Sequence, residues 1–141
     1  MIDGVDKMQI IVFTLKDEYY AINTELVEEI SRNITSTFVP KAPQWVEGLI
    51  NLRGNVVTLV NLSKLLHKEE GQCYNNIVII NKDEEKIGLL VTSVVEVIDV
   101  EMNDIEKINT AIVDGIKGII QLDGHIVNIV DIGILLAENE G

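Results

Sequence analysis

The sequence predicts an all-β protein made of two small barrels packed side by side, with short helical turns. Two observations predict this fold: the kind of apolar residue and an internal repeat. The 141 residues include 22 Ile and 17 Val, against 13 Leu and 4 Ala. Isoleucine and valine have stiff χ1 rotamers that suit strands better than helices. The composition therefore indicates a mostly β chain.

An ungapped repeat at an offset of 70 residues indicates a duplicated unit. Residues 46–66 read VEGLINLRGNVVTLVNLSKLL and residues 116–136 read IKGIIQLDGHIVNIVDIGILL, with 8 of 21 positions identical. A weaker echo precedes the block, where Val27–Ile30 matches Val95–Ile98. Chance similarity among strands rich in isoleucine and valine is the alternative. The glycines at positions 48 and 54 recur at 118 and 124, which favours duplication.

Each copy begins with a predicted hairpin. In the first copy, Ile10–Leu15 is an apolar strand, a charged turn follows, and Tyr19–Ile22 is the returning strand. The second copy has the same pattern at Ile77–Ile80 and Ile87–Val91. A stretch of alternating character then follows in each copy, over residues 26–30 and 94–100, and we expect it to form a further strand.

The repeated block predicts a second hairpin and a helical turn in each copy. Gly54 and Gly124 lie between apolar runs and would supply the positive φ that a tight hairpin requires. Asn61 and Asp131 stand where a helix N-cap is expected. Each copy thus has about five short strands, and a sheet that small must close or be covered to hide its edges.

The length predicts two barrels that share an apolar interface. A unit of about 60 residues buries too little surface to be stable alone. We expect the first barrel over about residues 15–74 and the second over about residues 75–141, with strand residues 8–14 near the interface. Together they form a single domain over residues 1–141.

Charge and composition exclude several classes of function. The formal net charge is −12, from 11 Lys+Arg and 23 Asp+Glu, which argues against binding to nucleic acid. No apolar run is long enough for a membrane helix, and the acidic start lacks a secretory signal, so we expect a cytoplasmic protein. Cys73 is the single cysteine, and His67 and His125 are far apart in sequence. We therefore expect no disulfide, no metal and no cofactor.

The acidic charge is concentrated in the second half. Residues 1–70 carry 7 cationic and 10 acidic side chains, a balance of −3, whereas residues 71–141 carry 4 and 13, a balance of −9. A solvated surface that keeps the protein dispersed is one interpretation, and a face that attracts a basic partner is the other.

No catalytic set is evident in the sequence. The serines lie outside nucleophile-elbow patterns, no phosphate-binding glycine motif occurs, and most carboxylates fall in turns or polar runs. We therefore expect a protein that is not an enzyme.

Arg53 stands out among the charged residues. It is one of two arginines, it lies in the turn of a predicted hairpin, and the second copy has Asp123 in its place. An exposed turn residue is one interpretation. The other is an interface ion pair, because the guanidinium fork matches a carboxylate, and Glu28 and Glu29 are the candidate partners in the same half.

With these residues in view, the chain resembles the CheW-type coupling proteins of bacterial chemotaxis. The best match is residues 39–57, VPKAPQWVEGLINLRGNVV, which is similar to the family signature V-P-x-x-P…G-x-x-N-L-R-G-x-V-V. Further matches lie at residues 10–13, 20–22, 27–30, 88–97 and 118–122. The resemblance covers about residues 8–136 in the expected order. The chain departs from the family pattern at Thr58, Asn61 and Thr92, where Pro, Asp and Asp are usual.

The resemblance implies a fold and a function. The fold is two five-stranded SH3-like barrels. The function is that of a non-enzymatic adaptor between the regulatory domain of a CheA-type histidine kinase and the cytoplasmic tip of methyl-accepting chemotaxis receptors, in receptor arrays. By the same resemblance, the kinase-binding residues are Val27, Glu28 and Gly48. The receptor-binding residues are Glu29 and Arg53, which match the family's paired acid and arginine near the receptor-binding groove, and Val95, which would lie on the other side of that groove. A double barrel that senses a small ligand is the alternative function, and it would require a polar-lined cavity.

Overall fold

Strands dominate the structure, a computed structural model that describes residues 6–68, 73–108 and 115–139. In these residues the strands are β1 (Lys7–Leu15), β2 (Glu18–Asn23), β3 (Val27–Arg32), β4 (Val46–Leu52), β5 (Asn55–Asn61), β6 (Asn76–Lys82), β7 (Glu85–Val91), β8 (Ser93–Glu101), β9 (Glu106–Lys107), β10 (Ile116–Leu122) and β11 (His125–Val130). Helix α1 (Leu62–Leu65) follows β5, and helix α2 (Ile132–Asn139) follows β11. Single 3₁₀ turns lie at Thr24–Leu26 and Met102–Asp104. The predicted all-β class is confirmed.

The strands form two sheets with matching strand orders. The five-stranded sheet has the order β3-β6-β7-β5-β4, and the six-stranded sheet has the order β8-β1-β2-β11-β10-β9. Strand β9 adds two residues at the end of the second sheet, and the isolated bridge between Thr37 and Leu49 occupies the same place in the first. The duplicated sequence therefore corresponds to a duplicated sheet. We call the barrel of the five-stranded sheet the first barrel and the other the second barrel.

The expected division of the chain near residue 74 does not match the strand pairing. Strands β6 and β7 of the second copy belong to the first barrel, where β7 lies parallel to β5, with Thr58 opposite Ile87. Strands β1 and β2 of the first copy belong to the second barrel, where β2 lies parallel to β11, with Tyr19 opposite Val127. Each copy therefore gives its first hairpin to the barrel of the other copy. Apolar periodicity identifies a strand but not its partner, so the sequence did not reveal this exchange.

The exchanged hairpins are buried on both faces, which explains their continuous apolar runs. Along β1, Ile10 and Val12 point into the second barrel, whereas Ile11 and Phe13 point into a cluster between the two barrels. Phe13 stacks there on Tyr20 with ring centroids 6.2 Å apart. The central cluster also includes apolar residues of both helices, and each barrel has a smaller cluster of its own. The expected apolar interface between the barrels is thus present.

The turns and caps follow the predicted chemistry. At the β4–β5 turn both Arg53 (φ 54°) and Gly54 (φ 83°) have positive φ, as a two-residue hairpin turn requires. The Asn61 side chain accepts a hydrogen bond from the Lys64 N–H at 3.1 Å, and Asp131 accepts one from the Ile134 N–H at 3.0 Å. Both predicted N-caps are confirmed. Asparagine therefore serves at position 61 where aspartate is usual.

No helix in the described part of the chain combines the length and the apolar character needed to cross a membrane.

Candidate functional site

A cluster of four charged side chains lies at one end of the first barrel, where the β4–β5 turn meets the edge strand β3. Arg53 Nη1 is 2.7 Å from Glu29 Oε2. The Arg53 side chain is 75% exposed, whereas the Glu29 side chain is 27% exposed. Of the two candidate partners for Arg53, the structure thus selects Glu29. We call Glu28, Glu29, Arg53 and Lys86 the charged site.

Glu28, the neighbour of Glu29 on β3, has different partners. Its Oε2 accepts a hydrogen bond from Lys86 Nζ, and its Oε1 accepts one from Asn81 Nδ2 at 2.9 Å. These bonds from Lys86 and Asn81 lower the pKa of Glu28 below its ordinary value, although desolvation opposes the shift. Glu28 is therefore held ionised and in a fixed orientation by the β6–β7 hairpin.

The charged site surrounds a small depression of about 200 Å³. Its four ionic groups comprise two cations and two carboxylates. Leu52, Val57 and Ile79 line the depression between them. An exposed ion pair such as Arg53–Glu29 contributes about 0–1 kcal/mol to stability. The pair is therefore better suited to orienting charge at a surface than to holding the fold together.

Val27 and Gly48, expected beside Glu28, lie on the two outer strands of the same sheet. Val27 is opposite Ile80 and packs against the central cluster. Gly48 is buried at a bulge in β4, where an added Cβ would lie 2.4 Å from the Thr37 carbonyl oxygen. Gly48 therefore has a packing role that does not depend on any partner. The structure does not join Val27 and Gly48 into one pocket with Glu28.

Val95 lies apart from Glu29 and Arg53, with which it was grouped. It is on β8 of the second barrel, 47% exposed, and it lines a separate depression of about 170 Å³. This second depression corresponds by the repeat to the one at the charged site, but Asp123 stands in place of Arg53. There Tyr19 stacks on His125 with ring centroids 4.2 Å apart. The duplicated fold thus provides two equivalent depressions with different charges.

Lys86 and Asn81 are site residues that the sequence reasoning missed. Both lie in the β6–β7 hairpin, more than 50 positions after Glu28. They reach Glu28 only because that hairpin joins the barrel of the other copy. No local sequence pattern signals the contact.

The described residues contain no group of three or more His, Cys, Asp or Glu side chains able to hold a metal ion. Aliphatic side chains fill the interior of each barrel. An interior of this kind lacks the converging polar groups of a small-ligand cavity, which disfavours the ligand-sensor alternative.

A comparison with known protein families identifies the family to which a chain with two matching sheets and an Asn-Leu-Arg-Gly turn belongs. The profile of the CheW-like domain matches residues 9–140. The chain belongs to the CheW-like domain family. Proteins of this family are chemotaxis scaffold proteins and not enzymes, and the same holds for this chain.

Named relatives and a solved structure agree with the family assignment. The chain is 27% identical over 139 residues to the chemotaxis protein CheW of Thermotoga maritima, covering 96% of this chain and 92% of the relative. It is 30% identical over 108 residues to the chemotaxis protein CheW of Treponema pallidum, covering 72% and 64%. The crystal structure of the scaffolding protein TtCheW from Thermoanaerobacter tengcongensis superimposes with a TM-score of 0.83 at 28% identity, covering 96% of this chain and 91% of that one.

Proposed function

We propose that this CheW-like protein couples methyl-accepting chemotaxis receptors to a CheA-type histidine kinase in the cytoplasm, at receptor arrays. Kinase contact is assigned to Val27, Glu28 and Gly48. Receptor contact is assigned to Glu29, Arg53 and Val95. Family membership supports the general role, and the resemblance of these residues to the family signature supports the assignment of partners.

The observation that carries the proposal is the charged site. Glu28 and Glu29 are neighbours on one edge strand, yet they bind different cations. Glu28 is the extra residue of a β-bulge, where the register shifts between Val27 and Glu29, and a bulge redirects the side chains of its strand. One strand can therefore present one carboxylate to a kinase and the neighbouring acid–arginine pair to a receptor. A single short segment would then serve both contacts.

Co-sedimentation tests the proposal directly. The full chain is mixed with receptor fragments that contain the cytoplasmic tip and with the kinase regulatory domain, separately and together. We expect binding to each fragment alone and a ternary complex with both. Binding to neither fragment would contradict the proposal.

Charge-reversal variants test the residue assignments. Arg53→Glu places a second carboxylate beside Glu29, and we expect roughly ten-fold weaker binding to the receptor fragment, since each tenfold corresponds to about 1.4 kcal/mol. Kinase binding by this variant should change little. Lys117→Glu is the matched control, because it makes the same change of charge on β10, in the second barrel. If both variants reduce receptor binding by the same small factor, Arg53 is only an exposed turn residue and the assignment is wrong.

A further inference from the structure

The second barrel has a surface groove that the proposed function does not use. It lies where the end of β8, the following 3₁₀ turn and β9 face the β10–β11 hairpin, and its volume is about 540 Å³. The buried Val100 and Ile120 form its floor, and Ile119 and Ile126 form an apolar wall. Ile126 is 55% exposed.

Four carboxylates surround the apolar wall: Asp99, Glu101, Asp104 and Glu106. No cation lines the groove, and in the described part of the chain none of the four carboxylates has an ion pair. Lys7 is opposite Glu101 in the β1–β8 register without bonding to it. Four of the acidic residues in the second half of the sequence thus lie together at one groove.

The first barrel serves as an internal comparison. By the strand register, Asp99 corresponds to the cationic Arg32 and Glu106 to the uncharged Thr37, so neither acid is retained in the first barrel. The apolar wall is retained, with Leu49 and Val56 in place of Ile119 and Ile126. Because the same fold forms without an acid at either place, the carboxylates of Asp99 and Glu106 are not required for folding.

We propose that this acidic groove binds a basic, amphipathic protein segment, in which an aliphatic side chain enters the groove and flanking lysine or arginine side chains pair with the rim. Charge complementarity selects this occupant: anionic surfaces are repelled, and a cationic segment is attracted. A metal ion is the wrong occupant, since the described carboxylates do not converge into a metal-binding group. The groove is separate from the charged site, with which it shares no lining residue.

A labelled peptide tests the groove on the full chain. The probe is a fluorescein-labelled, seven-residue peptide that alternates arginine or lysine with leucine, and the readout is fluorescence anisotropy. Two further peptides separate the contributions: one has serine in place of leucine, and the other has glutamate in place of the cations. We expect the basic, leucine-containing peptide to bind roughly ten-fold more tightly than either, and more weakly at high salt.

Neutral variants locate the binding. The groove variant combines Asp99→Asn, Glu101→Gln, Asp104→Asn and Glu106→Gln. The control variant makes the same change of net charge at exposed positions in or next to the turns of the two exchanged hairpins, by Asp17→Asn, Asp83→Asn, Glu84→Gln and Glu85→Gln. We expect roughly ten-fold weaker peptide binding for the groove variant and less than about two-fold for the control. Equal loss in both variants, or equal binding of the serine peptide, would overturn the proposal.

A variant of the wall separates docking from general attraction. Ile126→Ser keeps all four carboxylates and changes a side chain that is more than half exposed, so the fold should be retained. We expect several-fold weaker binding of the leucine peptide and no change for the serine peptide. The groove variant should co-sediment with kinase and receptor fragments to the same extent as the unmodified protein. A loss of peptide binding can then be distinguished from a failure of the proposed function. If Ile126→Ser binds both peptides as the unmodified protein does, the groove is not the binding site.

Discussion

The bulge at Gly48 provides the sharpest test of the structure. In Gly48→Ala the new Cβ would lie 2.4 Å from the Thr37 carbonyl oxygen and 2.8 Å from Ser36 Oγ. The Thr37 oxygen belongs to the backbone, so it can move only with the bridge that joins Thr37 to Leu49. That bridge consists of two hydrogen bonds, Thr37 N–H to Leu49 O at 2.8 Å and Leu49 N–H to Thr37 O at 2.9 Å.

The cost follows from these contacts. Losing two backbone hydrogen bonds costs about 1 kcal/mol each, and the remaining strain of an overpacked site adds about 1 kcal/mol. We expect Gly48→Ala to lower the free energy of unfolding by about 3 kcal/mol. For a chain of this length that corresponds to a fall in Tm of roughly 10 °C. Urea unfolding followed by circular dichroism measures the free energy, and a thermal scan measures Tm.

Gly118→Ala is the matched control, because Gly118 lies at the equivalent bulge of the second barrel. Its added Cβ would meet Ile105 Cγ2 at 2.8 Å and the Glu106 carbonyl oxygen at 3.0 Å. A side-chain methyl can move more easily than a backbone carbonyl, so we expect a cost of about 1 kcal/mol. A loss under about 0.5 kcal/mol for Gly48→Ala, or a larger loss for Gly118→Ala, would refute the reasoning.

Three further predictions concern the cap, the interface and the charged site. Asn61→Ala removes a fully buried N-cap and the amide that donates to Glu47, so urea unfolding should show a loss of about 2 kcal/mol. Leu89→Ala opens a cavity in the cluster between the barrels and should cost about 3 kcal/mol by the same measurement. Lys86→Met removes a hydrogen bond that lowers the pKa of Glu28, and carbon-detected NMR titration should show that pKa rising towards its ordinary value. Because the folded pKa of Glu28 is the lower one, its stabilisation is present above the unfolded pKa and is lost as the pH falls through the folded pKa.

Each of these predictions has a control. Asp131→Ala removes the partly exposed cap of α2 and should cost about 1 kcal/mol, so an equal or larger loss than for Asn61→Ala would contradict the role of burial. Val56→Ala truncates an aliphatic side chain that is mostly exposed and should cost under about 0.5 kcal/mol, so a loss equal to that of Leu89→Ala would count against the interface. Lys82 is a nearby cation that pairs with Asp83 and not with Glu28. Lys82→Met should therefore leave the pKa of Glu28 unchanged.

Local features of the site could be predicted from the sequence to different extents. The turn at Arg53-Gly54 was evident from two apolar runs that flank a glycine. Residue chemistry indicated that the ion-pair partner of Arg53 is one of two neighbouring acids, Glu28 or Glu29. The family resemblance already paired Glu29 with Arg53, and the side-chain geometry agrees with that pairing. Lys86 could not be found, because its contact with Glu28 depends on which barrel receives the β6–β7 hairpin. The grouping of Val95 with Arg53 remains a proposal about a partner that would span two depressions.

The sequence by itself determined the all-β class, the duplicated unit, the tight turns, both N-caps and the family. These features are local, because they rest on side-chain stiffness, on glycine at positive φ, on capping oxygens and on a continuous motif. The tertiary structure alone decided the exchange of hairpins between the barrels and, with it, the partners of Glu28 and the position of the acidic groove. Strand pairing depends on hydrogen bonds between segments far apart in sequence, and every apolar strand is able to make them. Only packing both faces of each exchanged hairpin, one into a barrel and one into the shared interface, selects one arrangement.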